Sequence, residues 1–209
     1  MNRPGKSNSN QGFTMVELLV TIVVAGILIS IAAPSFNDAI RNSKQVAKTK
    51  ELMSALRIAR SEAIKRSTLT AVCARRTNTL CGDDWSNGFI TFIDSGDVAG
   101  SRENDEQILR VAQGIEGGGW IMNRARLVNT NAAPIERTFI QFGPRGTSHW
   151  RGSGYFVICD NRGQQSARAI NISLSGDPRR ARKNAGILIS SFGGLAACGS
   201  ENTSGGGGG

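Results

Sequence analysis

The chain reads as α+β: one long N-terminal helix, then a head of short strands. Three observations predict this. Residues 13–33 form an apolar run whose only charge is Glu17. Beyond Pro34, Leu52, Leu56, Ala59 and Ala63 fall on one face at helical spacing. From Leu69 the pattern changes to short apolar runs separated by Gly, Asn and Asp, the punctuation of strands and turns.

The helix comes first. At ~1.5 Å per residue the apolar run is about as long as a bilayer core is thick. The polar leader before it carries Arg3 and Lys6, which suits an inside-positive orientation. A kink is expected at Pro34, whose ring removes a backbone donor. Past it, Arg57, Arg60, Lys65 and Arg66 point away from the Leu52 face, so this half is amphipathic and expected to pack on a sheet. The strands expected next are Leu69–Ala74, Phe89–Ile93, Gln107–Val111, Thr138–Phe142, Tyr155–Cys159, Ala169–Leu174 and Gly186–Ser191. Ile170, Ile172 and Leu174 alternate with Asn171, Ser173 and Ser175, the clearest half-buried pattern in the chain. The segment Ile115–Ala133 carries no pattern that assigns an element. The glycine run 205–209 is expected to be a flexible tail or a cloning remnant.

Composition bounds the class. Of the 209 residues, about 170 remain for a soluble domain, enough for a substantial core. The formal net charge is +9, but its distribution is sharper than its total. Residues 13–123 hold 12 basic and 12 acidic side chains, whereas residues 124–209 hold 11 basic and 4 acidic ones. The densest piece is Arg179-Arg180-Ala181-Arg182-Lys183, just after Gly176-Asp177-Pro178. Four cysteines together with the membrane helix point to an oxidising compartment outside the cytoplasmic membrane. Of the ~3 possible pairings, Cys73–Cys81 and Cys159–Cys198 are favoured. The first closes a short loop and the second pins the C-terminal segment, contributing about 4 kcal/mol in the loop-entropy account. No metal or cofactor is expected: the cysteine spacings are wrong for zinc, and His149 is the single histidine.

Gly12-Phe13-Thr14-Met15-Val16-Glu17-Leu18 resembles a type IV prepilin signal. A secretory signal would place its small residue after the apolar core, and here Gly12 stands before it. The resemblance implies that prepilin peptidase cuts after Gly12 and that Phe13 becomes the N-methylated first residue. It also implies that Glu17 pairs with the N-terminal amine of a neighbouring subunit during filament assembly. Physics singles out Glu17 separately, because a charge deep in a membrane helix costs at least ~2.5–3.5 kcal/mol. The plainer alternative is an ordinary membrane anchor with one tolerated glutamate.

The head narrows the resemblance. Ala59-Arg60-Ser61-Glu62-Ala63, then Trp85-Ser86-Asn87-Gly88-Phe89-Ile90-Thr91-Phe92-Ile93-Asp94, then Glu106-Gln107-Ile108-Leu109-Arg110 and Phe142-Gly143-Pro144-Arg145-Gly146 resemble, in that order, the FimT/GspH-like minor pilins and pseudopilins. The fold this implies is α+β, a long N-terminal α-helix packed on antiparallel β-sheet. The implied organisation is a leader over 1–12, a transmembrane or filament-core helix over 13–33, its amphipathic continuation over 34–67, a β-rich head over 68–198 and a Gly-rich tail over 199–209. The implied partners are other pilin subunits, prepilin peptidase, and the inner membrane before assembly, with the head in the periplasm and later on the pilus at the cell surface.

Some members of that family bind DNA through a C-terminal Gly-Arg-x-Arg element, and the matching place here is Gly176 with Arg179, Arg180, Arg182 and Lys183. Asp177 and Pro178 intervene, and the chain continues through Ile187-Leu188-Ile189 to Cys198. An arginine-rich loop can track phosphates and gain affinity by releasing counterions. Arg145, Arg151, Arg162 and Arg168 are candidates to extend the patch. The absence of aromatic residues in the loop points to sequence-independent binding. The alternative is a solvated basic loop or a surface that meets acidic neighbours. Three function classes follow: a minor pilin that captures DNA for uptake in transformation, a purely structural minor pilin that initiates assembly, and a type II secretion pseudopilin. Trp85, Phe89 and Phe92 are expected in the core. Asp94, Asp97, Glu103, Asp105 and Glu106 lack calcium-loop spacing and are expected as solvated surface. His149 beside Ser148 has no identifiable acid partner, and nothing argues for an enzyme.

Overall fold

The computed structural model describes residues 12–103, 105–115, 119–125, 135–148, 153–184, 187–190, 193–194 and 198. Helix α1 runs Met15–Arg66 and continues through Pro34, so one missing donor does not end it. The chain divides into two units, Met1–Ser43 and Lys44–Gly209. In the first, α1 is long and apolar enough to cross a membrane. Leu19, Ile22, Val23, Ile27 and Leu28 are all exposed there.

In the second unit the helix buries one stripe. Leu52, Ala55, Leu56, Ala59 and Ala63 are fully buried, and the alanines let a sheet approach the helix closely. Burying each leucine contributes about 1.5–3 kcal/mol. The helix ends where Ser67 takes a left-handed φ of 52°, while the Thr68 amide donates back to the Ala63 carbonyl at 3.2 Å.

The strands are β1 (Thr70–Ala74), β2 (Gly88–Ile93), β3 (Ile108–Gln113), β4 (Trp120–Ala125), β5 (Ile135–Glu136), β6 (Phe139–Phe142), β7 (Gly154–Cys159), β8 (Arg168–Ile172), β9 (Pro178–Arg180), β10 (Arg182–Asn184), β11 (Ile187–Ser190) and β12 (Gly193–Gly194). They form three sheets, ordered β3-β2-β1-β6, β5-β4-β7-β8-β9 and β10-β11-β12. Every pairing is antiparallel.

Period-two alternation assigns the faces. In the first sheet Val72, Ala74 and Phe89 join the helix core, whereas Ala71, Cys73, Ile90 and Phe92 form a second cluster behind it. In the second sheet Phe156, Ile158, Ile170 and Ile172 face the same helix core. Trp85 joins the two sheets: its ring meets Phe156 edge-on at 4.8 Å, and its Nε1 donates to the Arg137 carbonyl at 2.7 Å. Behind the second sheet, Tyr155, Val157 and Ala169 cluster with Leu188 of β11. The third sheet therefore covers an outer face that would otherwise be exposed. Disulfides Cys73–Cys81 and Cys159–Cys198 secure the first loop and this cover.

Several expectations are corrected. The strand expected over Ala169–Leu174 ends at Ile172, and Leu174 is exposed in the following turn. The unassigned segment contains β4. The stretch expected to be a basic loop is two short strands, β9 and β10. The acidic stretch is not simply solvated, since Asp94 and Glu106 are buried. Glu106 Oε1 accepts from the Ser95 and Gly96 amides, both at 2.7 Å, and Oε2 from the Glu103 amide at 2.8 Å. The ends Gly186 and Ser191 of an expected strand, the leader up to residue 11 and the tail 199–209 lie outside the described residues.

Candidate assembly helix and nucleic-acid interface

The N-terminal site begins with a cap. The Glu17 amide donates to Thr14 Oγ1 at 3.2 Å, and the Leu18 amide to the Thr14 carbonyl at 3.1 Å. Thr14 is thus the N-cap of α1 and Glu17 its third residue, the Thr-x-x-Glu order of a capping box. That places the carboxylate at the positive end of the helix dipole. Gly12 and Phe13 precede the cap, and Phe13 is exposed. Sequence reading singled out Glu17 but missed Thr14, although the capping-box spacing was there to find.

The basic site is positioned by a knot of close contacts at the other end of α1. Arg60 Nε donates to the Gly146 carbonyl at 3.0 Å and its Nη2 to the Ser175 carbonyl at 3.2 Å. It joins the turns that precede Ser148 and Gly176 to the helix. Gly176 has φ +75°, and a Cβ there would stand 2.0 Å from the Gly146 carbonyl oxygen. Only glycine fits this crossing. β9 starts two residues later, so the motif residue Arg60 fixes where the arginines emerge.

On β9 the register separates neighbouring arginines. Arg180 sits opposite Ile170 and Arg179 opposite Asn171. Cross-strand partners share a face, so Arg180 lies on the face that Ile170 turns to the helix core. Arg179 is exposed and donates from Nε to Asp177 Oδ2 at 2.6 Å. Lys183 Nζ donates to the Gln165 carbonyl. Arg162 is held by Asp160, Nη2 to Oδ2 at 2.6 Å. Among the described residues, the side chains of Arg180 and Arg182 carry no hydrogen bond or ion pair.

Two cavities meet at Arg180. A groove of about 760 Å³ runs between α1 and β9, lined on the strand side by Arg179 and Arg180. A smaller one of about 230 Å³ is lined by Arg168, Arg180 and Lys183 beside Thr49 and Leu188. Burial first, and like charge after it, show in the titration of these groups. Burial pushes the Arg168 guanidinium below its ordinary value, with Arg180 and Arg162 adding to the effect. Burial and then Arg168 do the same to Lys183. A cation whose neighbours disfavour its charge gains most from an incoming anion.

The remaining candidates fall elsewhere. Arg145 is exposed in the Gly143–Gly146 turn, while Arg151 and His149 lie outside the described residues. Trp85, Phe89 and Phe92 are buried.

An apolar helix capped around a first-turn carboxylate, whose second half forms the spine of an antiparallel α+β head, defines a pilin-like filament subunit anchored by its N-terminus. Residues 7–33 match the prokaryotic N-terminal methylation motif, and residues 48–176 match the family described as type II transport protein GspH. The chain belongs to this GspH family of type IV minor pilins and pseudopilins. No curated protein matches the chain. Among solved structures it is similar to the type IV minor pilin FimU of Pseudomonas aeruginosa (strain PAO1). One crystal form shows 21% identity and a TM-score of 0.49, covering 71% of this chain and 94% of that one. A second shows 22% identity and a TM-score of 0.44, covering 64% and 89%. Family membership implies processing by prepilin peptidase and assembly with other pilin subunits.

Proposed function

We propose that this chain is a minor type IV pilin that enters a pilus near its tip and captures DNA, without sequence preference, for uptake in natural transformation. The precursor sits in the inner membrane as a single-pass protein with its head in the periplasm. Prepilin peptidase removes residues up to Gly12, Phe13 is N-methylated, and Glu17 accepts the amine of a neighbouring subunit. Mass spectrometry of the mature N-terminus tests the first two steps, and recovery of chains still bearing the leader would refute them. Glu17→Val tests the third: filament incorporation should be lost, and unchanged incorporation refutes the pairing.

The observation that carries the DNA reading is the basic edge formed by β9 and the adjoining β10, where Arg180 and Arg182, without side-chain partners among the described residues, stand beside Arg179 and Lys183. A gel-shift titration of the detergent-solubilised mature chain tests it against the triple variant Arg179→Ala, Arg180→Ala, Arg182→Ala. Binding should weaken strongly and lose much of its salt dependence. Undiminished binding by the triple variant, or none by the parent at low salt, ends the reading.

A second reading has support from the family's own description as a type II transport protein. On that reading the chain is a secretion pseudopilin and the basic edge meets an acidic neighbour. Gene deletion separates the cases. Loss of transformation with intact pili supports DNA capture, loss of piliation supports a purely assembly-initiating minor pilin, and loss of protein export supports the pseudopilin.

A further inference from the structure

The α1 wall of the large groove was not among the candidate residues, yet it is as cationic as the strand wall. Lys50, Ser54, Arg57 and Ser61 line it, and their spacing of four, three and four keeps them in one row along the helix. Lys50 and Arg57 are exposed, and among the described residues neither side chain has a hydrogen bond or ion pair. Most other arginines of this unit are engaged: Arg60 with two carbonyls, Arg66 with Glu62 and Gln107, Arg75 with the Asn87 carbonyl. The one carboxylate among the groove's described residues, Glu62, is taken by Arg66 at 2.6 Å, and that contact together with Lys65 holds its pKa below the ordinary value.

We propose that the groove between α1 and β9 seats the DNA sugar–phosphate backbone, with Lys50 and Arg57 forming a second row of phosphate contacts opposite Arg179 and Arg180. This deepens the DNA reading above and rests on it. Lys50 and Arg57 lie seven positions apart, a rise of about 10.5 Å along one row of the helix. That keeps the two cations separate, so each can take its own phosphate of the backbone. Arg180, shared by both cavities, continues the track into the pocket formed with Arg168 and Lys183. Among the described residues neither cavity has an aromatic residue in its lining, which favours the backbone over the bases as what the site holds.

The test measures binding of a labelled duplex to the detergent-solubilised mature chain by fluorescence anisotropy, between about 50 and 200 mM salt. The slope of log K against log salt should become shallower by about 2 in the double variant Lys50→Gln, Arg57→Gln, at about 0.9 per lost phosphate contact. Restoring a cation with Arg57→Lys in the Lys50→Gln background should recover about half of that loss. Arg76→Glu makes the same change in net charge on an exposed loop position away from the groove, and should leave the slope unchanged. Equal weakening by Arg76→Glu would show a general field effect and overturn the contact. Parent-like binding by the double variant would leave the groove empty while the β9 arginines kept their role. No binding by the parent would sink both readings. Thermal unfolding checks the fold, since neutralising two exposed, unpartnered side chains should leave the melting temperature close to the parent's.

Discussion

At the rim of the first sheet, Arg102 donates to the Glu106 carbonyl from Nε at 3.1 Å and Nη2 at 2.9 Å, and the Glu106 carboxylate collects three backbone amides. At the rim of the second, Arg180 meets nothing comparable among the described residues, and neither does Arg182 on the adjoining β10. The first rim carries as much charge as the second, but its charges are used to hold a loop. Charge left over after the fold is satisfied is what a partner can use. A count of basic residues alone does not locate it; the accounting of partners does.

The largest expected effect tests whether the second rim depends on its cover. Replacing Cys159 and Cys198 together by serine removes a bridge across 39 positions and should lower stability by about 4 kcal/mol on chain-entropy grounds. Chemical denaturation of both forms checks this, and a change below about 1 kcal/mol would mean the third sheet holds its place without the bridge. Next, Glu106→Gln should cost about 2–3 kcal/mol, because an amide nitrogen would face a backbone amide where a charge-assisted bond stood. Its DNA affinity should stay at the parent level. Arg180→Gln should do the reverse, with melting unchanged to within about 0.5 kcal/mol and duplex affinity reduced at low salt. If both variants altered both properties, the contrast between the rims would fail.

The smallest effect concerns pH. Asp94 is 1% exposed, and burial raises its pKa above the ordinary 3.8, with Glu106 and Glu103 adding to the rise. The Gly100 amide and Gln141 side chain oppose it. The folded chain therefore keeps a proton that the unfolded chain has lost, so this residue's contribution declines as pH rises from 3.8 through the raised value. Asp94→Asn should flatten that part of the stability profile, measured as melting temperature between acid and neutral pH. A profile as steep as the parent's would assign the slope to another group.

What could be read in advance follows from how strongly each segment's pattern is tied to burial. The Leu52–Ala63 stripe and the Ile170–Ile172 alternation were legible because the same residues that set the period also fill the core. β4 was not: its inward positions include Asn123, buried, and its other face carries Met122 and Arg124, so polarity does not alternate. β9 and β10 hid for a related reason, since Arg179, Arg180, Arg182 and Lys183 read as a solvated run while register with β8 makes the first two strand and register with β11 the other two. At the candidate site, Gly12 and Phe13 stood out by their resemblance to a prepilin signal, and Glu17 also as the one charge in an apolar run. Lys50 and Arg57 did not, because their importance arises only when β9 is laid beside the helix.

The bridge between Cys159 and Cys198 also has a mechanical meaning. β9, β10 and β11 all lie within the covalent loop it closes. A pull on Arg179–Lys183 therefore cannot peel these strands away from the chain's terminus one hydrogen bond at a time. The load passes through a sulfur–sulfur link into β7, which has a neighbour on either side in its sheet. A tether gripped at this edge would be anchored in the middle of the head.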